Sequence, residues 1–100
     1  MIQYPLNPMN LNEEQLLTIR DMASHFMSPF EIAFMIGVNV EDFRSWLQDD
    51  SHPAFRAYNE AKIASVLELR RKIVGMAKKG SPQAEVLVNQ FIQDQILGEE

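Results

Sequence analysis

Apolar residues recur every three or four positions along most of this sequence, and that spacing places them on one face of an α-helix. No stretch of useful length alternates polar and apolar residues with the period of two that is typical of a strand. The pattern therefore predicts an all-α protein. The five predicted helices cover residues 13–27, 29–36, 40–48, 54–78 and 82–97.

Capping residues predict where these helices begin and end. Asn12 with Gln15, and Ser28 with Glu31, have the spacing of capping boxes, in which each side chain accepts a hydrogen bond from the other residue's backbone N–H. Gly37 can adopt the left-handed conformation that ends a helix, because it has no Cβ to clash. The remaining signals are Pro29 at the start of helix 2, Asn39 before helix 3, Gly80 after helix 4, and Ser81 with Pro82 before helix 5.

The helical phase predicts which side chains face the core. Trp46 shares the phase of Phe43 and Leu47, so we interpret it as a core anchor rather than as a platform on which bases stack. His52, beside Pro53, is predicted to be an exposed residue at the start of helix 4. The predicted apolar surface of helix 2 consists of Ile32, Phe34, Met35 and Ile36, and the inward side of helix 3 also includes Val40.

Gly37 leaves a turn of about three residues between helices 2 and 3, which is the helix-turn-helix arrangement. Together with helix 1 it gives a predicted three-helix unit over residues 12–50. An irregular N-terminal arm, residues 1–11, is predicted before this unit. Residues 51–100 are predicted to form a long helix followed by an antiparallel helix, and in this helical pair we expect the contacts of an oligomer.

Composition narrows the class of protein. One hundred residues are enough for one domain with a modest core. Because the chain has no cysteine, a disulfide scaffold and thiolate metal or redox sites are excluded. No apolar run approaches the roughly 18 residues of a membrane span, and the first ten residues lack the basic and apolar regions of a secretory signal. We therefore expect a cytoplasmic protein without membrane contact.

Catalytic chemistry has little support in the sequence. The two histidines, His25 and His52, are far apart and have no partners at a metal-ligand spacing. There is no glycine-rich phosphate-binding loop, and acidic pairs at helix starts are explained by the helix dipole. We therefore predict a non-enzymatic protein with no catalytic residue, no metal site, no cofactor and no small-molecule substrate.

Charges are unevenly distributed along a chain whose net charge is −5. Residues 1–53 contain two arginines and eight acidic residues, and residues 81–100 contain four acidic residues and no base. Between them, residues 54–80 contain seven lysines and arginines against two glutamates, and end in Lys78 and Lys79. This basic stretch has three interpretations: solvated charges on an outer helix face, contacts with DNA phosphates, or contacts with the acidic first half of a neighbouring copy.

The outward side of helix 3 carries the residues suited to reading DNA. Arg44 has the fork that pairs with a guanine edge, and Gln48 can pair with adenine. Ser45 lies between them in sequence, whereas Glu41 and Asp42 at the helix start repel phosphate. A single copy should therefore bind duplex DNA weakly, and several copies on one DNA should bind well through multivalency.

Further motifs connect helix 3 to helix 4. Helix 3 ends in an aromatic-x-x-Trp-Leu phrase, Phe43 to Leu47, which is followed by an acidic, histidine-bearing turn. The next helix begins with the pattern F-x-x-Y-x-x-A, here Phe55, Tyr58 and Ala61. With the later segment AKKGSPQAEVLVNQFI, these motifs resemble the DNA-binding domain of the small terminase subunits of tailed bacteriophages and of related prophage helix-turn-helix proteins. The resemblance covers about two thirds of the chain.

The resemblance implies a ring-forming, non-enzymatic subunit that selects viral DNA for packaging and passes it to a large ATPase–nuclease subunit. Its location would be the cytoplasm of a bacterial host cell. Helices 4 and 5 would make subunit contacts. Carried over by position, the residues facing DNA would be Asn39, Arg44, Ser45 and Gln48, with Lys78 and Lys79 as further candidates from the basic stretch.

Two other functions fit the same residues. A transcriptional regulator would use the helix-turn-helix as a dimer on two half-sites spaced by about one DNA turn. A helical adaptor that binds only protein would use the same three-helix unit as a scaffold, and the acidic total charge favours this reading.

Overall fold

The computed structural model describes residues 11–99, and this part of the chain is helical throughout its regular structure, with five helices and no strand. The all-α class with five helices is therefore confirmed for the described residues. Nearly all of the predicted irregular arm, residues 1–11, lies outside them. The helices are α1 (Glu13–Ser24), α2 (Pro29–Ile36), α3 (Val40–Trp46), α4 (Pro53–Lys78) and α5 (Pro82–Gly98).

Both predicted capping boxes are present. The Asn12 side chain accepts from the Gln15 backbone N–H at 2.7 Å, and the Gln15 side chain accepts from the Asn12 N–H at 2.9 Å. Ser28 and Glu31 form the same reciprocal pair at the start of α2. Gly37 ends α2 with a φ of 78°, the left-handed conformation expected for it. Local hydrogen bonding thus fixes these boundaries, as the sequence spacing predicts.

The end of α1 differs from the prediction by a turn. The helix stops at Ser24 rather than at residue 27, because Phe26 has a φ of 63°. The backbone N–H groups of Phe26 and Met27 bond back to the carbonyls of Ala23 and Met22, which is the closure of a Schellman motif. The sequence prediction extends the helix too far because Phe26 fits the helical spacing of apolar residues, and because the left-handed residue here is not a glycine.

The described chain separates into two compact units, divided after Ser65 within α4. In unit 1, α1 packs on α2 and α2 packs on α3. The Ser65 hydroxyl donates to the Ser24 carbonyl at 2.7 Å, and Arg20 lies 3.3 Å from Glu60, so the first half of α4 is held beside α1. The buried core residues of unit 1 are Ile19, Ala23, Ile32, Ala33, Ile36, Phe43, Ala54 and Ala57.

Unit 2 consists of α4 from Val66 together with α5, which runs back alongside it. The Arg70 guanidinium lies 4.2 Å from the centre of the Phe91 ring and 3.9 Å from an Asp94 carboxylate oxygen. Ala84 is the buried hydrophobic residue of this unit. Much apolar side-chain surface of unit 2 therefore faces water, at Leu67, Leu69, Met76, Val86, Leu87, Ile92, Ile96 and Leu97.

Two of the residues predicted to supply the apolar surface of α2 point outward. Ile32 and Ile36 are buried, but Phe34 and Met35 are exposed. The physical reason is that α2 packs on one side only, and Ala33 occupies the third buried position of that side. When only one face of a helix is covered, an apolar residue that points away from that face lies in water.

Candidate nucleic-acid interface

The position of α3 is fixed by aromatic packing on its inner side. Phe43 is fully buried, and its ring forms a T-shaped pair with that of Trp46, at a centroid distance of 6.2 Å and an interplanar angle of 78°. Val40, Trp46 and Leu47 pack against the same core as half-buried residues. The predicted inward side of helix 3 is therefore confirmed, and its other side faces solvent.

His52 holds the C-terminal end of α3 and was misplaced by the sequence prediction. The sequence predicts an exposed residue, but only 3% of His52 is exposed. Its ring stacks on that of Trp46, with the ring centroids 4.7 Å apart and an interplanar angle of 8°. Its Nδ1 accepts a hydrogen bond from the Ala54 backbone N–H at 3.0 Å, so it also caps the start of α4. No sequence spacing signals a stack between residues six positions apart across a turn.

Asn39, a predicted DNA-binding residue, acts first as the N-cap of α3. Its side-chain oxygen accepts from the backbone N–H groups of Glu41 at 2.8 Å and of Asp42 at 3.1 Å. The carbonyl end of this amide is thus occupied by the helix. Only its NH₂ group remains suited to contact a ligand, as a donor.

The other three predicted contact residues of α3 and its end lie on the outward side of unit 1. Arg44, Ser45 and Gln48 are all exposed. An Arg44 guanidinium nitrogen lies 3.7 Å from a Glu41 carboxylate oxygen, one helical turn earlier. The arrangement gives a set of hydrogen-bond donors and acceptors on one surface, with the charge of Arg44 partly offset by Glu41.

Acidic side chains surround this surface. Glu41 and Asp42 begin α3, and Asp49 and Asp50 follow it, all exposed. Hydrogen bonds from the Ser51 hydroxyl and backbone N–H lower the pKa of Asp49, so this carboxyl stays ionised well below neutral pH. The charge around α3 therefore opposes close approach of phosphates, and Arg44 is the only base within α3 itself.

Lys78 and Lys79, the two further predicted contact residues, belong to unit 2. Both are exposed, with Lys78 the last residue of α4 and Lys79 directly after it. The structure thus brings Asn39, Arg44, Ser45 and Gln48 together in unit 1 and places the two lysines in the other unit.

Within residues 11–99, no group of three or more histidines and carboxylates has the arrangement needed to hold a metal ion. None of the five helices is long and apolar enough to cross a membrane.

Comparison of the chain with protein-family models, with curated proteins and with solved structures finds no match.

Proposed function

We propose that this protein is a non-enzymatic DNA-binding protein in which α2 and α3 act as a helix-turn-helix and α3 enters the major groove. The observation that carries the proposal is the two-sided character of α3. Phe43 and Trp46 pack inward, whereas Arg44 and Ser45 are exposed, as is Gln48 just beyond the helix. A recognition helix needs both sides, because packing fixes its position and exposed side chains read base edges.

Each outward residue has a role suited to its chemistry. Arg44 donates two hydrogen bonds to a guanine edge, and Gln48 pairs with adenine through its amide. Ser45 and the NH₂ group of Asn39 reach the base edges or the backbone beside them. The two lysines of unit 2, Lys78 and Lys79, contact phosphates.

We further propose that several copies act together. The acidic surroundings of α3 make duplex binding by one copy weak, and linked copies raise the effective affinity without any new contact. Support for self-association comes from unit 2, in which large hydrophobic side chains are exposed on both helices. Residues 51–100 would then serve as the oligomerisation region.

The resemblance to small terminase subunits supports a role for this binding in DNA packaging. The proposed partners are viral double-stranded DNA, further copies of the chain and a terminase large subunit, in the cytoplasm of a bacterial host cell. Selection of viral DNA requires neither catalysis nor a cofactor in this chain, because the exposed α3 surface performs it by binding alone.

Duplex binding by variants of α3 tests the proposal. Arg44→Ala should weaken binding to the duplexes that the wild type selects from a random-sequence pool by about 1–3 kcal/mol, and should relax the sequence preference. Glu41→Gln should strengthen binding, because it removes the carboxylate that lies 3.7 Å from Arg44. Fluorescence anisotropy measures both changes. Arg56→Ala is the matched control, since Arg56 is an exposed arginine of unit 1 outside α3.

The lysines of unit 2 are tested in the same titration. Lys78→Ala with Lys79→Ala should lower the dependence of affinity on salt without changing the sequence preference, as expected for phosphate contacts. If no duplex binds at physiological salt, the DNA-binding function is wrong and a protein-only adaptor is favoured. If duplex DNA binds and all these variants bind it like the wild type, the assignment of the contacts to α3 and to the two lysines is wrong.

A further inference from the structure

The outward side of α2 carries an exposed aromatic surface, although the core of unit 1 is well packed. The rings of Phe30 and Phe34 stack with their centroids 6.5 Å apart. Phe34 is 74% exposed, Met35 63% and Phe30 57%. We call these three residues the phenylalanine face. Apolar side chains that remain in water as a contiguous group mark an interaction surface.

A second surface lies on α4 in unit 2. Leu67, Arg71 and Val74 follow one another at intervals of four and three residues, so they share one side of the helix. We call them the basic stripe. A Cβ added at Gly75 would meet nothing within 4 Å apart from its chain neighbours and the adjacent helix backbone, so the space beside this stripe is open. A groove of about 330 Å³ lies along it, lined by Leu67, Arg70, Arg71, Val74, Gly75 and Lys78.

The chemistry of the two surfaces is complementary. The Arg70 guanidinium lies 4.2 Å from the Phe91 ring centre, and the Lys62 ammonium lies 5.0 Å from the Tyr58 ring centre, so this chain already pairs cations with aromatic faces. A cation of the basic stripe over a ring of the phenylalanine face makes the same cation–π contact. The aliphatic side chains of the stripe then cover the remaining apolar area.

Charge decides which surfaces of two copies meet. The described part of unit 2, residues 66–99, contains five lysines and arginines and four acidic residues, and all five bases lie on α4 or directly after it. Two basic stripes brought face to face therefore repel each other through Arg71. The described part of unit 1, residues 11–65, contains nine acidic residues and four bases. Glu31 lies on the same helix as the phenylalanine face. The basic stripe is therefore attracted to unit 1 of another copy rather than to a second stripe.

The exposed area sets the strength of the contact. Two phenylalanines and one methionine, each more than half exposed, present on the order of 350 Å² of apolar surface. Contacts of this size are typical of weak assemblies that depend on protein concentration, rather than of permanent dimers.

We propose that copies of this chain associate head to tail, with the phenylalanine face of one copy packed on the basic stripe of the next. Such a contact is heterologous, because each copy uses one surface and leaves its other surface for a third copy. This inference rests on the self-association in the proposed function, and it adds the phenylalanine face of unit 1 to the proposed oligomerisation region, residues 51–100.

Two full-length variants test the contact by complementation. Phe34→Lys damages the phenylalanine face, and Leu67→Lys damages the basic stripe. Light scattering should give the wild type a mass that rises with concentration, and each variant alone the monomer mass of 11.5 kDa. Mixed in equal amounts, the two variants should form a dimer and nothing larger, because each contributes its one intact surface.

Matched controls place the same lysine outside both surfaces. Leu17 in α1 and Leu69 in α4 are 61% and 46% exposed, and the Leu17→Lys and Leu69→Lys variants should assemble like the wild type. Circular dichroism should show the same helix content for all four variants. Assembly of Phe34→Lys or of Leu67→Lys alone, a mixture that stays monomeric, or a monomeric Leu69→Lys variant would overturn the head-to-tail contact.

The outcomes also separate this inference from the proposed function. A wild type that stays monomeric up to millimolar concentration overturns self-association and the head-to-tail contact together, and leaves duplex binding by Arg44 standing. Wild-type assembly that survives both lysine variants overturns the head-to-tail contact alone.

Discussion

Replacing Phe43 by alanine is expected to lower the free energy of unfolding of unit 1 by about 3–5 kcal/mol. Phe43 is fully buried, belongs to the core formed by α1, α2, α3 and the start of α4, and packs edge to face with Trp46. Alanine removes that burial and leaves a cavity whose walls relax only in part. Denaturant unfolding followed by the fluorescence of Trp46, the single tryptophan, measures the change.

The control for this prediction uses the same substitution on the neighbouring helix. Phe34 is 74% exposed, so Phe34→Ala should change the free energy of unfolding by less than about 0.5 kcal/mol in dilute, monomeric protein. Equal losses for the two variants would contradict the placement of Phe43 inside and Phe34 outside. Since α3 is held mainly from its inner side, Phe43→Ala should also weaken any binding by Arg44.

His52→Ala should lower the free energy of unfolding by about 2–3 kcal/mol, the combined effect of a lost aromatic stack and a lost helix cap. The His52 ring lies flat on Trp46, and its Nδ1 accepts from the Ala54 N–H in a buried position. Alanine leaves that N–H without its acceptor. The same denaturant titration measures the loss, and the emission of Trp46 should shift as water reaches its ring.

His52→Asn separates the two contributions. An asparagine oxygen can cap α4 but cannot stack on Trp46, so this variant should recover about half of the loss. A His52→Ala variant as stable as the wild type would contradict the stack and the cap. An asparagine variant as damaging as alanine would assign the whole effect to the stack.

The helix boundaries could be predicted because capping is local. Asn12 with Gln15, and Ser28 with Glu31, lie three residues apart, so their hydrogen bonds depend on little beyond the backbone between them. The end of α1 could not be predicted in the same way. Phe26 adopts the left-handed conformation without being glycine, and the packing of α1 on α2, which the local sequence does not encode, requires the chain to turn there.

The exposure of α2 and the burial of His52 are tertiary properties. The helical spacing of apolar residues identifies side chains that can be buried. It does not say whether a neighbouring helix covers the side of α2 that carries Phe34 and Met35, and both are exposed. His52 is buried because the turn after α3 folds its ring over Trp46. Neither helical periodicity nor capping rules predict such a contact between residues six positions apart.

The outward residues of α3 could be predicted because the phase of Phe43 and Trp46 determines the opposite side. Arg44 and Ser45 are exposed, as expected. The N-cap role of Asn39 follows from its place before helix 3 and is present in the structure. The pairing of Arg44 with Glu41 emerges only from the structure, because it depends on rotamers. Lys78 and Lys79 are predicted as contact residues because they end the basic stretch of the sequence. The structure places them in unit 2, whereas α3 belongs to unit 1.

Whether the outward side of α3 contacts duplex DNA can be seen residue by residue in a nuclear magnetic resonance titration. Isotope-labelled protein is titrated with short duplex DNA at physiological salt, and the backbone amide shifts are followed residue by residue. We expect the largest changes at residues 39–48, including the Arg44 side chain, with smaller changes at Lys78 and Lys79. An unchanged spectrum, or changes confined to α5, would show that α3 does not bind duplex DNA.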